Sequence, residues 1–191
     1  MSLKIKKTKI QNVSIITPLV HSDPRGSFSE VFRKDNLNEL GFHKEFIQDN
    51  ESHSAKVGTL RGLHFQTPPF AQDKLVRVIH GAILDVAVDI RTGSPTFGRH
   101  LAVELSTENR KQLLIPAGFA HGFITIRSDT IVIYKVTKYY APEYDSGIIW
   151  NDDDLTIDWS CNNPILSDKD LSLPKFSDLP PDLFPFSDFS F

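Results

Sequence analysis

Alternation between apolar and polar residues over short stretches is the main pattern in this chain, and residues 83–91 display it most clearly. One parity of this stretch is apolar and comprises Leu84, Val86, Val88 and Ile90. The opposite parity carries the charged residues Asp85, Asp89 and Arg91. Because side chains alternate between the two faces of a β-strand, this period of two predicts a strand with one buried face and one polar face.

Similar stretches, separated by turn signals rich in proline and glycine, run through most of the chain. The turn signals include residues 23–26 and 67–69. Further strands are predicted over residues 60–66, 74–80, 101–105, 111–115, 122–126 and 130–138. One short helix is predicted over residues 34–40, with Gly41 placed to end it in a left-handed cap. The pattern predicts an all-β fold, a sandwich or barrel of the jelly-roll kind with short peripheral helices.

Length and composition favour a single domain over residues 1–191. A chain of 191 residues with 40% hydrophobic content can bury one sizeable core. Its net charge is -3 and its basic residues are scattered singly, so nucleic acid is not an expected partner. The apolar run near the start is short and interrupted by Gln11 and Asn12. We therefore expect no membrane span and a cytoplasmic protein.

The chain changes character from about Leu171. Four prolines interrupt any regular element, while five phenylalanines, the last of them Phe191, keep the segment apolar. We expect this C-terminal extension to cover a groove or a partner subunit.

Two histidines, each preceded by a glycine, are the first candidates for chemistry. His64 follows Gly58, and His121 closes the segment 116–121, whose pattern is Pro-x-Gly-x-x-His. These segments resemble the two glycine-and-histidine signatures of the cupin jelly roll.

The metal ligands of that signature are missing from this chain. In metal-binding cupins the first signature continues to a second histidine and a glutamate. Here Gln66 stands in the first place and Phe70 or Ala71 in the second. Because two histidines alone are a poor metal site, we expect no metal and no cofactor, and acid–base chemistry instead.

The residues near His64 supply the groups that such chemistry needs. Strict alternation places Leu60, Gly62, His64 and Gln66 on one face of the strand. Arg61 then points the other way, unless Gly62 marks a bulge or Arg61 reaches its ligand from the rim. Lys74 follows ten residues later, and Tyr134 lies in another predicted strand. A barrel interior holding these side chains has a base, a cation and an acid.

At this level of detail the chain resembles the dTDP-4-dehydrorhamnose 3,5-epimerases, metal-free cupins of deoxysugar biosynthesis. The matching segments are RGLHFQTPP, QDKLVRVIHG, DVAVDIRTGSPTFG, LLIPAGFAHGF, YKVTKYYAP, GIIWND and LSDKD. The resemblance covers residues 17–175. It implies a dTDP-linked 4-keto-6-deoxyhexose as substrate and a homodimer with exchanged edge strands.

The resemblance also implies a role for particular residues. His64 is the base, Asp170 orients its imidazole, Tyr134 is the acid on the far face, and Lys74 stabilises the enolate. Diphosphate binding is implied for Arg25, Arg61 and Lys169. Contacts to the nucleotide or sugar are implied for Phe28, Glu30, Gln48, Asp49, Asn50, Gln66 and Tyr140. A sugar or a phosphate contact is implied for His121. The family commonly has glutamate where this chain has Asp145, so that contact differs.

Other functions remain open at this point. A close relative could invert only C3 or only C5, or isomerise the keto group, in another deoxysugar pathway. A nucleotide-sugar binding module without turnover is an alternative from a different class, and a metal-dependent oxygenase is a further one.

Overall fold

A computed structural model describes residues 3–39 and 41–189 of the chain. The strands within these residues are β1 Leu3–Lys7, β2 Ser14–Pro18, β3 His21–Asp23, β4 Gly26–Phe28, β5 Gln48–Ser54, β6 Leu60–Gln66, β7 Lys74–His80, β8 Ala82–Asp89, β9 His100–Ser106, β10 Gln112–Ile115, β11 Phe119–Thr125, β12 Thr130–Val136 and β13 Asp145–Gly147. Two short α-helices are α1 Lys34–Asn38 and α2 Asp168–Leu171. Single 3-10 turns lie at Pro142–Tyr144, Phe176–Asp178 and Phe186–Asp188.

Two antiparallel sheets form the body of the fold. The larger sheet has six strands in the order β1-β2-β10-β7-β12-β5, and the smaller has five in the order β13-β6-β11-β8-β9. Strands β3 and β4 form a separate hairpin. One buried cluster contains Val76 and Val132 of the larger sheet together with Ile83 and Phe123 of the smaller. The sheets therefore pack face to face, and the predicted all-β jelly roll of the cupin type is confirmed.

The C-terminal region covers the outer face of the five-stranded sheet. Leu63, Val86 and Ile124 on that face share a buried cluster with Trp159 and Phe184 from the later part of the chain. The Phe184 side chain is fully buried, and its ring meets the Phe65 ring edge to face at 5.6 Å. The expectation was a groove or a partner subunit, but as far as residue 189 the phenylalanine-rich tail covers a sheet of its own chain. Phe191 lies outside the described residues.

The predicted polar face of strand β8 is polar but is as deeply buried as its apolar face. Val86 and Val88 pack under the C-terminal layer, whereas Asp85, Asp89 and Arg91 have no exposed surface at all. The expectation of one buried and one polar face was wrong about burial. Asp85 points between the two sheets, where it meets His121, and Asp89 pairs with Arg91, which in turn bonds Asn12 and the Phe189 carbonyl.

The predicted helix is shorter than expected. Helix α1 ends at Asn38, and the backbone reverses through Gly41, whose φ of +85° is the expected left-handed conformation. Leu40, the last residue of the prediction, lies outside the described residues. No helix in the described ranges is long and apolar enough to cross a membrane.

Candidate active site

A cavity of about 440 Å³ opens between the two sheets at the end of the barrel where β6 and β12 face each other. Its lining includes Arg61, His64, Lys74, His121, Phe123, Tyr134 and Asp170. A second cavity of about 280 Å³ shares His64, Lys74 and Tyr134 with the first and extends past Gln48, Asn50, Gln66, Tyr140 and Asp145. Both volumes together are of the size that holds a small-molecule ligand.

A bulge in β6 turns both Arg61 and His64 toward this cavity. His64 pairs with His121 of β11, but Arg61 pairs with Phe123, so β6 has one more residue than β11 in this interval. Gly62 lies at the irregularity with a φ of +120°, and a Cβ there would come within 2.5 Å of the Gly122 Cα. The bulge at Gly62 that the sequence left open is therefore present.

The same bulge corrects the predicted parity of β6. Leu60 was expected on the face of His64, yet it packs with Leu63 and Phe65 in the cluster under the C-terminal layer. Strict alternation fails because the extra residue shifts the strand by one position. His64 and Gln66 keep the inward orientation.

His64 is held by a buried carboxylate from the other end of the chain. Its Nε2 lies 2.6 Å from Oδ1 of Asp170, which is 5% exposed. Ser167 caps α2 by accepting from the Asp170 backbone N–H, and its hydroxyl donates to Asp170 Oδ2 at 2.8 Å. Burial works to raise the pKa of Asp170, but the hydrogen bonds from His64 and Ser167 outweigh it and hold the pKa below its usual value. Because an ionised carboxylate only accepts, Nε2 carries a proton and Nδ1 is left as the basic nitrogen.

Lys74 and Tyr134 approach from the opposite sheet. Burial lowers the pKa of Lys74 to about 8, although the negative charges of Asp145 and Asp85 oppose that shift. The Lys74 ammonium reaches the backbone carbonyl of His64 at 3.4 Å. Burial also raises the pKa of Tyr134, with Arg61 acting against it. Near neutral pH the cavity therefore holds a mostly charged lysine and a protonated phenol.

His121 is deeper than His64 and has its own carboxylate partner. Its Nε2 lies 2.7 Å from Oδ1 of Asp85, and the two side chains are 7% and 0% exposed. Burial lowers the pKa of His121 despite the attraction of Asp85, and the charges of Lys74 and His64 lower it further. The imidazole is accordingly neutral near pH 7.

Cationic and hydrogen-bonding groups surround the mouth of the cavity. The Arg61 guanidinium donates to the Ser54 hydroxyl at 3.3 Å and to the His53 carbonyl at 3.1 Å, and no carboxylate of the described residues neutralises it. Lys169 and the Tyr140 hydroxyl both donate to Oδ2 of Asp145. Asp145, the shorter acid at this position, lines the smaller cavity.

Two of the three contact residues predicted on strand β5 line a cavity. Gln48 and Asn50 line the smaller cavity and hydrogen-bond to each other at 2.8 Å. Asp49 has the opposite parity and pairs with Lys135 at 2.8 Å on the outer face of the sheet. Gln66 lines the cavity, and its amide bonds the backbone of Phe70 and Ala141.

The β3–β4 hairpin lies apart from both cavities in the single chain. Phe28 is 71% exposed, and the Arg25 guanidinium pairs with neighbouring Asp23 at 2.6 Å. Glu30 is 3.9 Å from Arg33. None of the three predicted contact residues lines the cavity of its own chain.

Asp85 and Ser167, which hold His121 and Asp170 in place, were not among the predicted site residues. Asp85 was assigned to a polar face, although a carboxylate inside a strand of Ile, Leu, Val and Ala is itself a signal of a buried polar role. Ser167 precedes an acidic first turn, which is the signature of a helix N-cap that the sequence contained. Among the described residues no group of three or more His, Cys, Asp or Glu side chains is arranged to hold a metal ion.

Comparison with known proteins gives a consistent set of relatives. A family model described as dTDP-4-dehydrorhamnose 3,5-epimerase matches residues 7–178. The dTDP-4-dehydrorhamnose 3,5-epimerase of Sinorhizobium fredii is 51% identical over 176 residues, which are 90% of this chain and 88% of the relative.

Two solved structures also align over almost the whole chain. The epimerase of the same name from Bacillus anthracis, solved with TDP and PPi bound, is 49% identical with a TM-score of 0.89 and covers 91% of this chain and 99% of its own. A dTDP-6-deoxy-D-glucose-3,5-epimerase from Legionella pneumophila, in complex with dTDP-4-keto-L-rhamnose, is 44% identical with a TM-score of 0.91 and covers 96% of this chain and 97% of its own.

Proposed function

This chain belongs to the dTDP-4-dehydrorhamnose 3,5-epimerase family and is an isomerase, and on that premise we propose that it epimerises a dTDP-linked 4-keto-6-deoxyhexose at C3 and C5. The 4-keto group acidifies the C–H bonds on both neighbouring carbons. Inversion then requires a base that removes a proton from one face of the ring and an acid that returns one to the other face.

His64 is the base in this proposal. Asp170 accepts the Nε2 proton at 2.6 Å, so Nδ1 is free to take the proton from C3 or C5. The carboxylate also stabilises the imidazolium that forms, since an opposite charge at hydrogen-bond distance favours the charged ring. General-base assistance of this kind contributes about a hundredfold to ten-thousandfold in rate.

Tyr134 is the acid. It comes from β12 of the six-stranded sheet, whereas His64 comes from β6 of the five-stranded sheet that faces it. A sugar ring lying between the sheets would therefore meet the imidazole on one side and the phenol on the other. The raised pKa of Tyr134 keeps its proton available until the enolate forms.

Lys74 stabilises the enolate oxygen at C4. Its ammonium is fixed in a low-dielectric interior, where a positive charge favours the enolate over the neutral ketone. Arg61 and Lys169 are the proposed diphosphate ligands, because guanidinium and ammonium groups at the rim suit phosphate oxygens.

We further propose that two copies of the chain complete each other's sites. The support is the exposure of Arg25 and Phe28 outside the cavity of their own chain, together with the homodimer that the family resemblance implies. The test mixes two inactive variants, His64→Ala and Arg25→Ala. If the hairpin serves the partner's cavity, a mixed dimer contains one intact site and activity returns. No recovery in a mixture that has exchanged subunits would contradict the shared site.

One observation carries the proposed function: His64 and its partner Asp170, which lies on α2, line one cavity with Lys74 and Tyr134 of the facing sheet. The experiment is incubation with dTDP-4-keto-6-deoxyglucose in heavy water, with deuterium followed at C3 and C5. Label and inversion at both carbons support 3,5-epimerisation. Label at one carbon alone selects a single-site epimerase, and binding without label selects a binding module.

A further inference from the structure

We propose that Asp85 is a positioning residue for this reaction, fixing His121 so that an acceptor nitrogen meets a sugar hydroxyl, and serving as a counter-charge for Lys74. The proposal rests on the proposed function, which it extends by assigning a ligand group to His121.

Asp85 is fully buried and only half satisfied. Its Oδ1 lies 2.7 Å from His121 Nε2, while its Oδ2 has no hydrogen-bond partner in the described part of the chain. Asp89 lies four residues further along β8 on the same face, and its carboxylate differs from that of Asp85. Its carboxylate receives bonds from Arg91, Ser94 and Thr96. Since a buried carboxylate without full compensation is costly, Asp89 has the features of a structural group and Asp85 does not.

The bond to Asp85 determines which nitrogen of His121 carries the proton. An ionised carboxylate has no proton to donate, so Nε2 must be the N–H of this pair. Because the ring is neutral near pH 7, Nδ1 then has only a lone pair. Nδ1 makes no hydrogen bond with any residue that the structure describes, and the ring lines the cavity.

An acceptor nitrogen selects its ligand. It takes a hydrogen bond from a hydroxyl and gives none to a phosphate oxygen. The sequence left a sugar or a phosphate contact open for His121, and the geometry favours the sugar. His121 and His64 are directly paired on neighbouring strands of one sheet, so both imidazoles approach the ring from the same side and His121 is not the acid of the opposite face.

Asp85 also belongs to the charged surroundings of Lys74. The titratable and charged groups that line the same cavities as Lys74 include His64 on β6, His121 on β11, Tyr134 on β12, Asp145 on β13, Asp170 on α2 and the Arg61 guanidinium. Asp85 on β8 does not line either cavity and lies behind His121, 2.7 Å from its Nε2. Asp85 and Asp145 are the two negative charges that oppose the loss of the Lys74 proton. Removing either carboxylate charge should therefore lower the pKa of Lys74 further.

The test compares Asp85→Asn with the wild-type protein by two measurements. Nitrogen NMR of the ligand-free protein, with His121→Gln to assign the signal, should give an Nε2–H tautomer in the wild type and a mixed or reversed tautomer in the variant. The alkaline limb of the kcat/KM profile should move to lower pH, and kcat should fall about tenfold to hundredfold, a loss typical of removing the partner that orients a histidine. Asp85→Glu keeps a carboxylate and should partly restore the Nε2–H tautomer and the position of the alkaline limb.

Asp152→Asn is the matched control. Asp152 is also a buried carboxylate, but its partners are the backbone N–H groups of Asp154, Leu155 and Phe176, away from the cavity. This variant should lose stability without moving the alkaline limb or the His121 signal.

An Nδ1–H tautomer in the wild-type protein would overturn the proposal, even if no Asp85 variant folds. The proposal would also be overturned if the Asp85→Asn variant left both the His121 nitrogen signal and the alkaline limb of the kcat/KM profile unchanged. The NMR measurement needs no turnover. Its failure is therefore distinct from failure of the proposed function, which would appear as absence of exchange at C3 and C5.

Discussion

Lys74 leads to a prediction in which activity and stability respond to pH in opposite directions. Its pKa falls from 10.5 to about 8 inside the protein, and a shift of this size corresponds to about 3 kcal/mol against the charged form. About nine-tenths of the lysines remain protonated at pH 7, but only about one-tenth at pH 9. If the ammonium stabilises the enolate, kcat/KM should fall about tenfold for each pH unit above 8.

The stability of the folded protein should change in the other direction. Between pH 8 and pH 10.5 the unfolded chain keeps the Lys74 proton that the folded chain has lost. The unfolded state thus binds more protons, and the free energy of unfolding rises with pH through this window. Below pH 8 the folded protein bears the full cost of burying the charged lysine, about 3 kcal/mol, and above pH 10.5 that cost is gone because Lys74 is neutral in both states.

The assays are a kcat/KM profile and denaturant unfolding, both from pH 6 to pH 10.5. Comparison with Lys74→Met isolates the contribution of the lysine to stability, and Lys74→Arg keeps a charge that does not titrate in this range. The arginine variant should lose the limb near pH 8, whatever its absolute rate. A wild-type limb that begins only above pH 10, or a limb near pH 8 that persists in Lys74→Arg, would refute the reasoning.

Three further predictions concern other parts of the molecule. Asp170→Asn should lower kcat about a hundredfold to ten-thousandfold in steady-state kinetics, since His64 loses its orienting carboxylate, while calorimetric affinity for dTDP stays nearly unchanged; weakened binding at normal kcat would argue against this role. Arg61→Ala should weaken dTDP binding by about 1.5 to 3 kcal/mol, the value of a charge-assisted hydrogen bond, whereas Arg127→Ala on the surface should not; equal effects would point to net charge alone. Phe184→Ala should lower the free energy of unfolding by about 3 to 5 kcal/mol in urea titrations, because the ring fills the layer outside the sheet. The variant should keep its kcat/KM, and a large loss of activity in a folded variant would contradict the separation of this layer from the active site.

The sequence predicts strands well where polar and apolar residues alternate without interruption. Strands β6 and β7 have the predicted bounds, because proline and glycine turns flank them on both sides. The same alternation says which parity is polar, but not what covers it. In β8 both parities are buried, since the C-terminal layer covers one face and the opposite sheet covers the other.

The site was predictable in its residue types and only partly in its geometry. His64, Lys74 and Tyr134 were each placed on strands and do line one cavity. The orientation of Arg61 depended on a bulge at Gly62 that alternation alone does not reveal. The family resemblance implied a substrate contact for Asp49 together with Gln48 and Asn50. Adjacent residues of a strand point to opposite faces, however, and Asp49 lies on the outer face.

Hydrogen-bond partners distant in sequence were the least accessible. Asp170 is 106 residues from His64 and was assigned through the family resemblance, and Asp85 is 36 residues from His121 and was missed. Such pairs form only when distant segments of the chain meet in the folded protein, so no local pattern encodes them.

The central claim is that His64 and Tyr134 act on opposite faces of one sugar ring, and exchange in heavy water with the Tyr134→Phe variant tests it most directly. Without the phenol, His64 should still remove and return protons on its own side of the ring. We therefore predict deuterium at C3 and C5 with retained configuration, against label with inversion in the wild type and no label in His64→Ala. Inversion by Tyr134→Phe at the wild-type rate would contradict the account.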